Sequence, residues 1–280
     1  MAFLYGILLS SLKSEAKTAF NQGNYKTAVD LYNKIIAEET DKSLNYYYRG
    51  QAHYKLENPK KALADFNKAV ALDRNADSIY VQRGQAYYAL EKYEDAMSDF
   101  AQALRIEKIK GAATLAHCGI ALLSYDKMEF DRAIFSYNTA INLDEKNHIA
   151  YCGRGMSRMK MGFFTQAIMD FDLAIAFNEK SAYAYNGRAR AYHKLAEYDE
   201  AINDYTKAVK YEPTNARYWY NRGLSYQRVK KHEEAIQDFK KAIEVDEKEW
   251  GILKETATAI LVENSQRSVQ GAGELEPETI

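Results

Sequence analysis

Apolar and small residues return along this chain with a helical period, in paired stretches separated by polar turns. The pattern is plainest in ARYWYNRGLSYQRVKKHEEAIQDFKKAIEVD, from Ala216 to Asp246. There Trp219, Tyr226 and Phe239 are large, while Gly223, Ala235 and Ala242 are small. Two helices can approach closely where side chains are small, and the aromatics then fill the space left between them. The unit recurs. Its second stretch carries an alanine four residues before an aromatic, at Ala28, Ala62, Ala96, Ala133, Ala167, Ala201 and Ala235. These alanines lie 34 residues apart, except for 37 between Ala96 and Ala133. The aromatics are Tyr32, Phe66, Phe100, Tyr137, Phe171, Tyr205 and Phe239, each followed three residues later by alanine, or by Ile35 in the first unit. Twelve residues before the anchor lies Ala16, Gly50, Gly84, Gly155, Ala189 or Gly223; in the fourth unit Gly119 takes this role, fourteen before.

The turns agree with the pattern. Asn58-Pro59 supplies an N-cap and a proline at the first helical position, and Pro213 falls between the sixth and seventh units. Aligning Gly119 with the other glycines places two of the three extra residues in the turn Asp126–Phe130 and one near Gly111. This spacing of small and aromatic positions resembles the tetratricopeptide repeat, a 34-residue helix–turn–helix. The resemblance implies an all-α chain, a right-handed superhelical α-solenoid of seven repeats at about 9–42, 43–76, 77–110, 112–147, 148–181, 182–215 and 216–249. Residues 1–8 form an apolar segment covering the open end of the first repeat, and 250–262 a capping helix on the last. The polar tail 263–280 reads as disordered.

Two positions vary together. Arg49, Arg83, Arg154, Arg188 and Arg222 precede the small residue, and the same units carry Asp65, Asp99, Asp170, Asp204 and Asp238 before the second-helix aromatic. The other two units have neither: Glu15 with Leu31, and Cys118 with Ser136. An arginine on the face that meets its partner helix needs a counter-charge, so an ion pair is expected within each of the five repeats.

The second, fifth, ninth, twelfth and thirteenth positions of each first helix share another face, which stacking in the family lines along a concave groove. In order these are Ser10, Lys13, Lys17, Phe20 and Asn21; Leu44, Tyr47, Gln51, Tyr54 and Lys55; Ser78, Val81, Gln85, Tyr88 and Ala89; and Ala113, Ala116, Ile120, Leu123 and Ser124. The last three repeats supply Ile149, Cys152, Met156, Met159 and Lys160; Tyr183, Asn186, Arg190, His193 and Lys194; and Arg217, Tyr220, Leu224, Gln227 and Arg228. None of these is Asp or Glu, although the chain has 39 carboxylates. A cationic, carboxylate-free face with methionines suits an acidic or amphipathic peptide. The candidate groove residues are Lys13, Lys17, Tyr47, Gln51, Tyr54, Lys55, Gln85, Tyr88, Met156, Met159, Lys160, Asn186, Arg190, His193, Lys194, Arg217, Tyr220, Asn221 and Arg228.

Composition narrows the reading. A formal net charge of −1 disfavours a general nucleic-acid binder. Two cysteines make no disulfide framework, which points to a reducing, cytoplasmic setting. MAFLYGILLSSL has no preceding basic residue and is too short to span a bilayer. The histidines show no metal-ligand spacing; a site joining His117, Cys118, His148 and Cys152 would need ligands that face apart. No phosphate loop, nucleophile elbow or groove carboxylate pair suggests an enzyme, and no cofactor is expected. Some tetratricopeptide domains grip a chaperone's C-terminal carboxylate through basic and asparagine residues of their first three repeats. Lys13 matches one of those positions, whereas Lys17, Tyr48, Ser78 and Gln82 depart from the rest. The expected function is a scaffold or adaptor, co-chaperone-like, holding a partner's acidic or amphipathic peptide in the groove. The alternative is an assembly subunit working through its convex surface or ends. The tail ending Glu276-Pro277-Glu278-Thr279-Ile280 is a candidate competitor for the same groove.

Overall fold

A computed structural model describes residues 2–245, with side chains from residue 7 onward. The expected capping helix at 250–262 and the tail lie outside the described residues. Fourteen helices follow one another: α1 (Ala2–Asn21), α2 (Tyr25–Glu38), α3 (Ser43–Lys55), α4 (Pro59–Leu72), α5 (Asp77–Ala89), α6 (Tyr93–Ile106), α7 (Lys110–Asp126), α8 (Phe130–Leu143), α9 (His148–Lys160), α10 (Phe164–Phe177), α11 (Ala182–Lys194), α12 (Tyr198–Tyr211), α13 (Ala216–Arg228) and α14 (His232–Val245). They pair as seven hairpins, and no strand occurs among the described residues. None of these helices is long and apolar enough to cross a membrane. Residues 2–8 of the apolar N-terminal segment continue directly into α1, with Ile7 and Leu8 exposed.

The chain divides into two compact units, Met1–Glu145 and Lys146–Ile280. Within each, the anchor alanines are buried and the second-helix aromatics sit in the core. Phe171 shows why the small positions are needed. A Cβ added at Gly155 would lie 3.0 Å from its ring, and one added at Gly187 would come closer still. The ring is clasped between its own repeat and the next. At the start of α4, Asn58 Oδ1 accepts from the Lys61 amide at 3.2 Å, and Pro59 fills the first turn as the sequence suggested.

The hairpin turns locate the three extra residues. Each turn holds one residue with positive φ, at Gly23, Glu57, Glu91, Met128, Gly162, Ala196 and Lys230, five positions before its anchor alanine. The fourth turn is therefore of ordinary length, which corrects the expected insertion at Asp126–Phe130. The extra residues belong to the start of α7, which has 17 residues where α5 has 13. Asp77, buried at the start of α5, accepts from the Lys108 and Ile109 amides at 2.9 and 2.7 Å and so ties down the chain entering the longer helix. The small residue of the fourth repeat is Ala121, twelve before Ala133. Gly119 corresponds instead to Gly187, facing the aromatic of the preceding repeat, Phe100.

All five expected ion pairs form. Arg49, Arg83, Arg188 and Arg222 each grip their aspartate through Nε and Nη2, at 2.6–2.9 Å. The hydrogen bonds that it donates to Asp65 hold the Arg49 guanidinium above its ordinary pKa, against the pull of burial. Each of these arginines also reaches the second helix of the preceding repeat, through Asn33, Asn67, Asp172 or Thr206. One side chain thus joins three helices, a geometry that the planar guanidinium fork permits and lysine would not. In the fifth repeat Asp170 takes both Arg154 at 2.6 Å and Arg158 at 2.8 Å. In the fourth, the corrected register puts Ile120, not Cys118, opposite Ser136, so an apolar side chain stands in the arginine's place.

Candidate functional site

The register of α7 alters the first unit's groove. Ala113, Ala116, Leu123 and Ser124, expected on the open face, are buried. The equivalent positions are Leu115, Cys118, Leu122, Tyr125 and Asp126, with Leu115 39% and Leu122 37% exposed. The groove therefore contains one carboxylate after all, Asp126, and Tyr88 donates its hydroxyl hydrogen to it. Lys13 is likewise occupied, paired with Glu39 at 2.6 Å. Tyr47 accepts from Gln51 at 3.0 Å and packs its ring on Tyr48 and Phe66. Tyr54 and Gln85 are half-buried, and Lys17 and Lys55 are exposed. Cations here are either paired or separated by packed tyrosines, so the first unit offers no concentrated positive site.

The second unit does. Its first helices α9, α11 and α13 carry no Asp or Glu at their groove positions. Between them lies a cavity of about 540 Å³ lined by Met156, Tyr183, Asn186, Arg190, Arg217, Tyr218 and the α12–α13 connection from Glu212 to Ala216. Arg190 donates to Met156 Sδ at 3.8 Å, and among the described residues no carboxylate lies within ion-pair distance of it. Asn186, only 5% exposed, accepts from Asn221 Nδ2 at 3.3 Å through its oxygen, which leaves its own amide nitrogen as a donor on the cavity wall. Lys160, Lys194 and Arg228 are exposed along the same helices. Glu212 is the acid of the rim; it accepts from Tyr218, whose ionisation is pushed well up by burial and then by this carboxylate.

Two groove candidates are core residues instead. Met159 and Tyr220 are each 9% exposed, and Tyr220 packs on Phe239 with ring centroids 5.6 Å apart. Both stand at positions that a straight helix would show to the groove, yet both are buried, Tyr220 against α14 of its own repeat. Conversely, Tyr183, Tyr218 and the Thr214–Asn215 turn line the cavity and were missing from the candidate residues. The turn follows Pro213, whose carbonyl accepts from Trp219 Nε1 at 2.8 Å, so Pro213 was a usable sign of a fixed loop there.

His193 contacts Ser225 Oγ through Nδ1 at 2.9 Å, while the Ser225 hydroxyl donates to the Asn221 carbonyl. Burial, then Arg228 and Lys194, lower its pKa. A histidine with a depressed folded pKa stabilises the fold above its unfolded value near 6.5 and loses that contribution as pH falls through the folded value. The melting temperature should therefore drop on acidification below about pH 6.5, and His193→Gln should flatten part of that slope in thermal scans at matched ionic strength. An unchanged slope would show that His193 plays no part in it.

Among the described residues no group of three or more His, Cys, Asp or Glu is placed to hold a metal. Burial pushes both the Cys118 and Cys152 thiols up to about 12, so each is protonated at neutral pH.

Paired antiparallel helices stacked by small-to-aromatic contacts define the chain as an α-solenoid scaffold. Family comparison then gives the particular class. Residues 152–205 and 216–249 match the tetratricopeptide repeat, residues 190–230 match the TPR repeat, and residues 21–103 match the anaphase-promoting complex, cyclosome, subunit 3 family. The chain is a tetratricopeptide repeat protein. A comparison with curated proteins returned no match. Among solved structures it resembles the APC/C hetero-tetramer Cut9–Hcn1, at 16% identity and a TM-score of 0.77 over 89% of this chain and 48% of that one. It also resembles a tetratricopeptide repeat protein from Parabacteroides merdae, at 20% identity and 0.64 over 92% and 98%. The human IFIT1 dimer with PPP-AAAA aligns at 16% identity and 0.69 over 91% and 62%. The chain thus spans about half the length of the Cut9–Hcn1 chain it matches. At such identities the likeness is one of fold.

Proposed function

We propose that this chain is a protein-interaction scaffold whose second unit holds an acidic peptide segment of a partner. The observation that carries this is Arg190, a half-buried guanidinium on the wall of a cavity of about 540 Å³ with no carboxylate paired to it among the described residues. A cation left without a counter-charge in a concave, partly desolvated site attracts an anion more strongly than the same group on open surface. Asn186 adds a neutral donor beside it, and Met156 an adaptable apolar wall. A carboxylate entering there would receive charge-assisted hydrogen bonds from Arg190.

The test is charge reversal. Arg190→Glu with Arg217→Glu and Arg228→Glu should weaken a glutamate-rich octapeptide about a hundredfold, the order seen when a hydrogen-bonded charge pair becomes repulsive. It should also remove the partners that the natural chain captures. Partners and peptide affinity that survive the triple change would overturn the reading.

A second reading, assembly through the convex surface, has one observation in its favour. Helix α10 exposes Met169 (61%), and it exposes Leu173 at the position where α2, α4, α12 and α14 carry Lys34, Lys68, Lys207 and Lys241. Met169→Lys with Leu173→Lys would then abolish partner capture while leaving acidic-peptide affinity unchanged. Single-stranded RNA, disfavoured by the net charge, would be revealed by binding that falls steeply with salt.

A further inference from the structure

We infer that the anion taken by the second unit's cavity is a phosphate monoester, carried on a serine or threonine of the partner's acidic segment. The inference rests on the acidic-peptide reading of that cavity and narrows it to a phosphopeptide.

The open end of α13 is the first argument. Its first residue, Ala216, stands on the cavity wall. The first amides of a helix have no acceptor inside it, and the aligned peptide dipoles make that end positive. In the other two first helices of this unit a side chain covers one of these amides. Asn147 accepts from Ala150 at 3.0 Å in α9, and Ser181 accepts from Ala184 at 3.3 Å in α11. Asn215 holds the same place before α13 and makes no such bond, although asparagine is a good cap. The Ala216 amide has no acceptor among the described residues. A helix start left open in this way binds phosphate through its backbone amides.

The second argument is independent of that helix end. Asn186, on α11, is 5% exposed and lines the same cavity. Its oxygen is taken by Asn221, and its amide nitrogen has no acceptor among the described residues. An unpaired buried donor is costly, and an acceptor entering the cavity removes that cost. Arg190 lies one turn further along the same face of α11, without a carboxylate partner among the described residues.

Donors on two helices therefore line one cavity, with the Thr214 hydroxyl in the turn between α12 and α13. A carboxylate is planar, with two oxygens and a single charge. A phosphate monoester has three terminal oxygens in a tetrahedral arrangement and carries about −1.5 to −2 charges at neutral pH. It can meet the guanidinium and amide of α11 and the start of α13 together, and a cavity of about 540 Å³ has room for it. Glu212 on the rim opposes either anion, but its carboxylate already accepts from Tyr218.

Three octapeptides test this, carrying phosphoserine, glutamate or serine at one central position among flanking glutamates. Each is titrated onto the full chain by calorimetry. The phosphoserine peptide should bind about tenfold more tightly than the glutamate one, because phosphate adds one or more charge-assisted hydrogen bonds. Asn186→Asp keeps the acceptor for Asn221 but removes the donor, so it should erase that advantage; Arg190→Gln should erase it too. Thr214→Val, in an exposed turn, should cut the advantage about threefold, and it keeps the test decisive if Asn186→Asp does not fold. Equal affinity for the phosphoserine and glutamate peptides would overturn the inference and leave the groove reading standing. A phosphoserine advantage that survives all three substitutions in folded protein would place the phosphate elsewhere and overturn it as well. A 5′-phosphorylated RNA octamer that outcompetes the phosphoserine peptide would overturn the assignment to a peptide. If none of the three peptides binds, the groove reading itself has failed.

Discussion

Asp170→Ala should destabilise the second unit by about 3–5 kcal/mol, the cost expected when one partner of a buried ion pair is removed. Asp170 is 1% exposed and accepts from two guanidiniums, Arg154 and Arg158. Alanine would remove the buried carboxylate that both half-buried guanidiniums share. The bridging aspartates of the other four repeats each face one arginine, so Asp99→Ala should cost less than Asp170→Ala. The pair also positions the groove: Arg154 leaves α9 on the side opposite Met156 and fixes how that helix rests on α10. Denaturant unfolding of the two variants, monitored by helical circular dichroism, checks both size and order. A loss for Asp170→Ala below that for Asp99→Ala would show that Arg158 adds nothing.

The second large effect concerns Phe171. It is fully buried, and Phe171→Ala should cost about 3–5 kcal/mol through lost burial and the cavity left behind. Its ring is clasped by Gly155 and Gly187. Gly187→Ala should therefore also destabilise, by about 1–3 kcal/mol, because the added methyl has no room. The two changes act on the same space from opposite directions. The double variant Gly187→Ala/Phe171→Ala should be more stable than the sum of the single losses predicts, by an interaction energy of about 0.5–3 kcal/mol. Strict additivity, measured by the same unfolding experiment, would mean that the ring and the glycine do not share that space.

Much of this molecule was legible in the chain because its parts are local. A 34-residue period, the alanine-to-aromatic spacing and the paired Arg and Asp positions each depend on contacts within one hairpin or with the next. Helical geometry converts such sequence distances directly into faces. Arg222 and Asp238 could be paired from spacing alone, and they meet at 2.7 Å. The fourth repeat was misread for the same reason. Gly119 stood near the expected small position and Ala121 at it, and spacing alone does not say which of two small residues meets the ring. The turn residue Met128, with positive φ, decides it. That shift of two positions moved Leu115, Leu122 and Asp126 onto the groove face and removed four buried residues from it.

The sequence by itself determined the class of fold, the repeat count, the ion pairs and the cationic character of the last three first helices. Only the tertiary structure decided which of those groove side chains remain available. Met159 and Tyr220 are buried, Lys13 is taken by Glu39 and Tyr88 by Asp126, whereas among the described residues Arg190 has no carboxylate partner beside its cavity. The physical reason is that a helical period specifies the direction of a side chain from its own axis. It does not specify what another repeat, or the loop after Pro213, brings against that side chain.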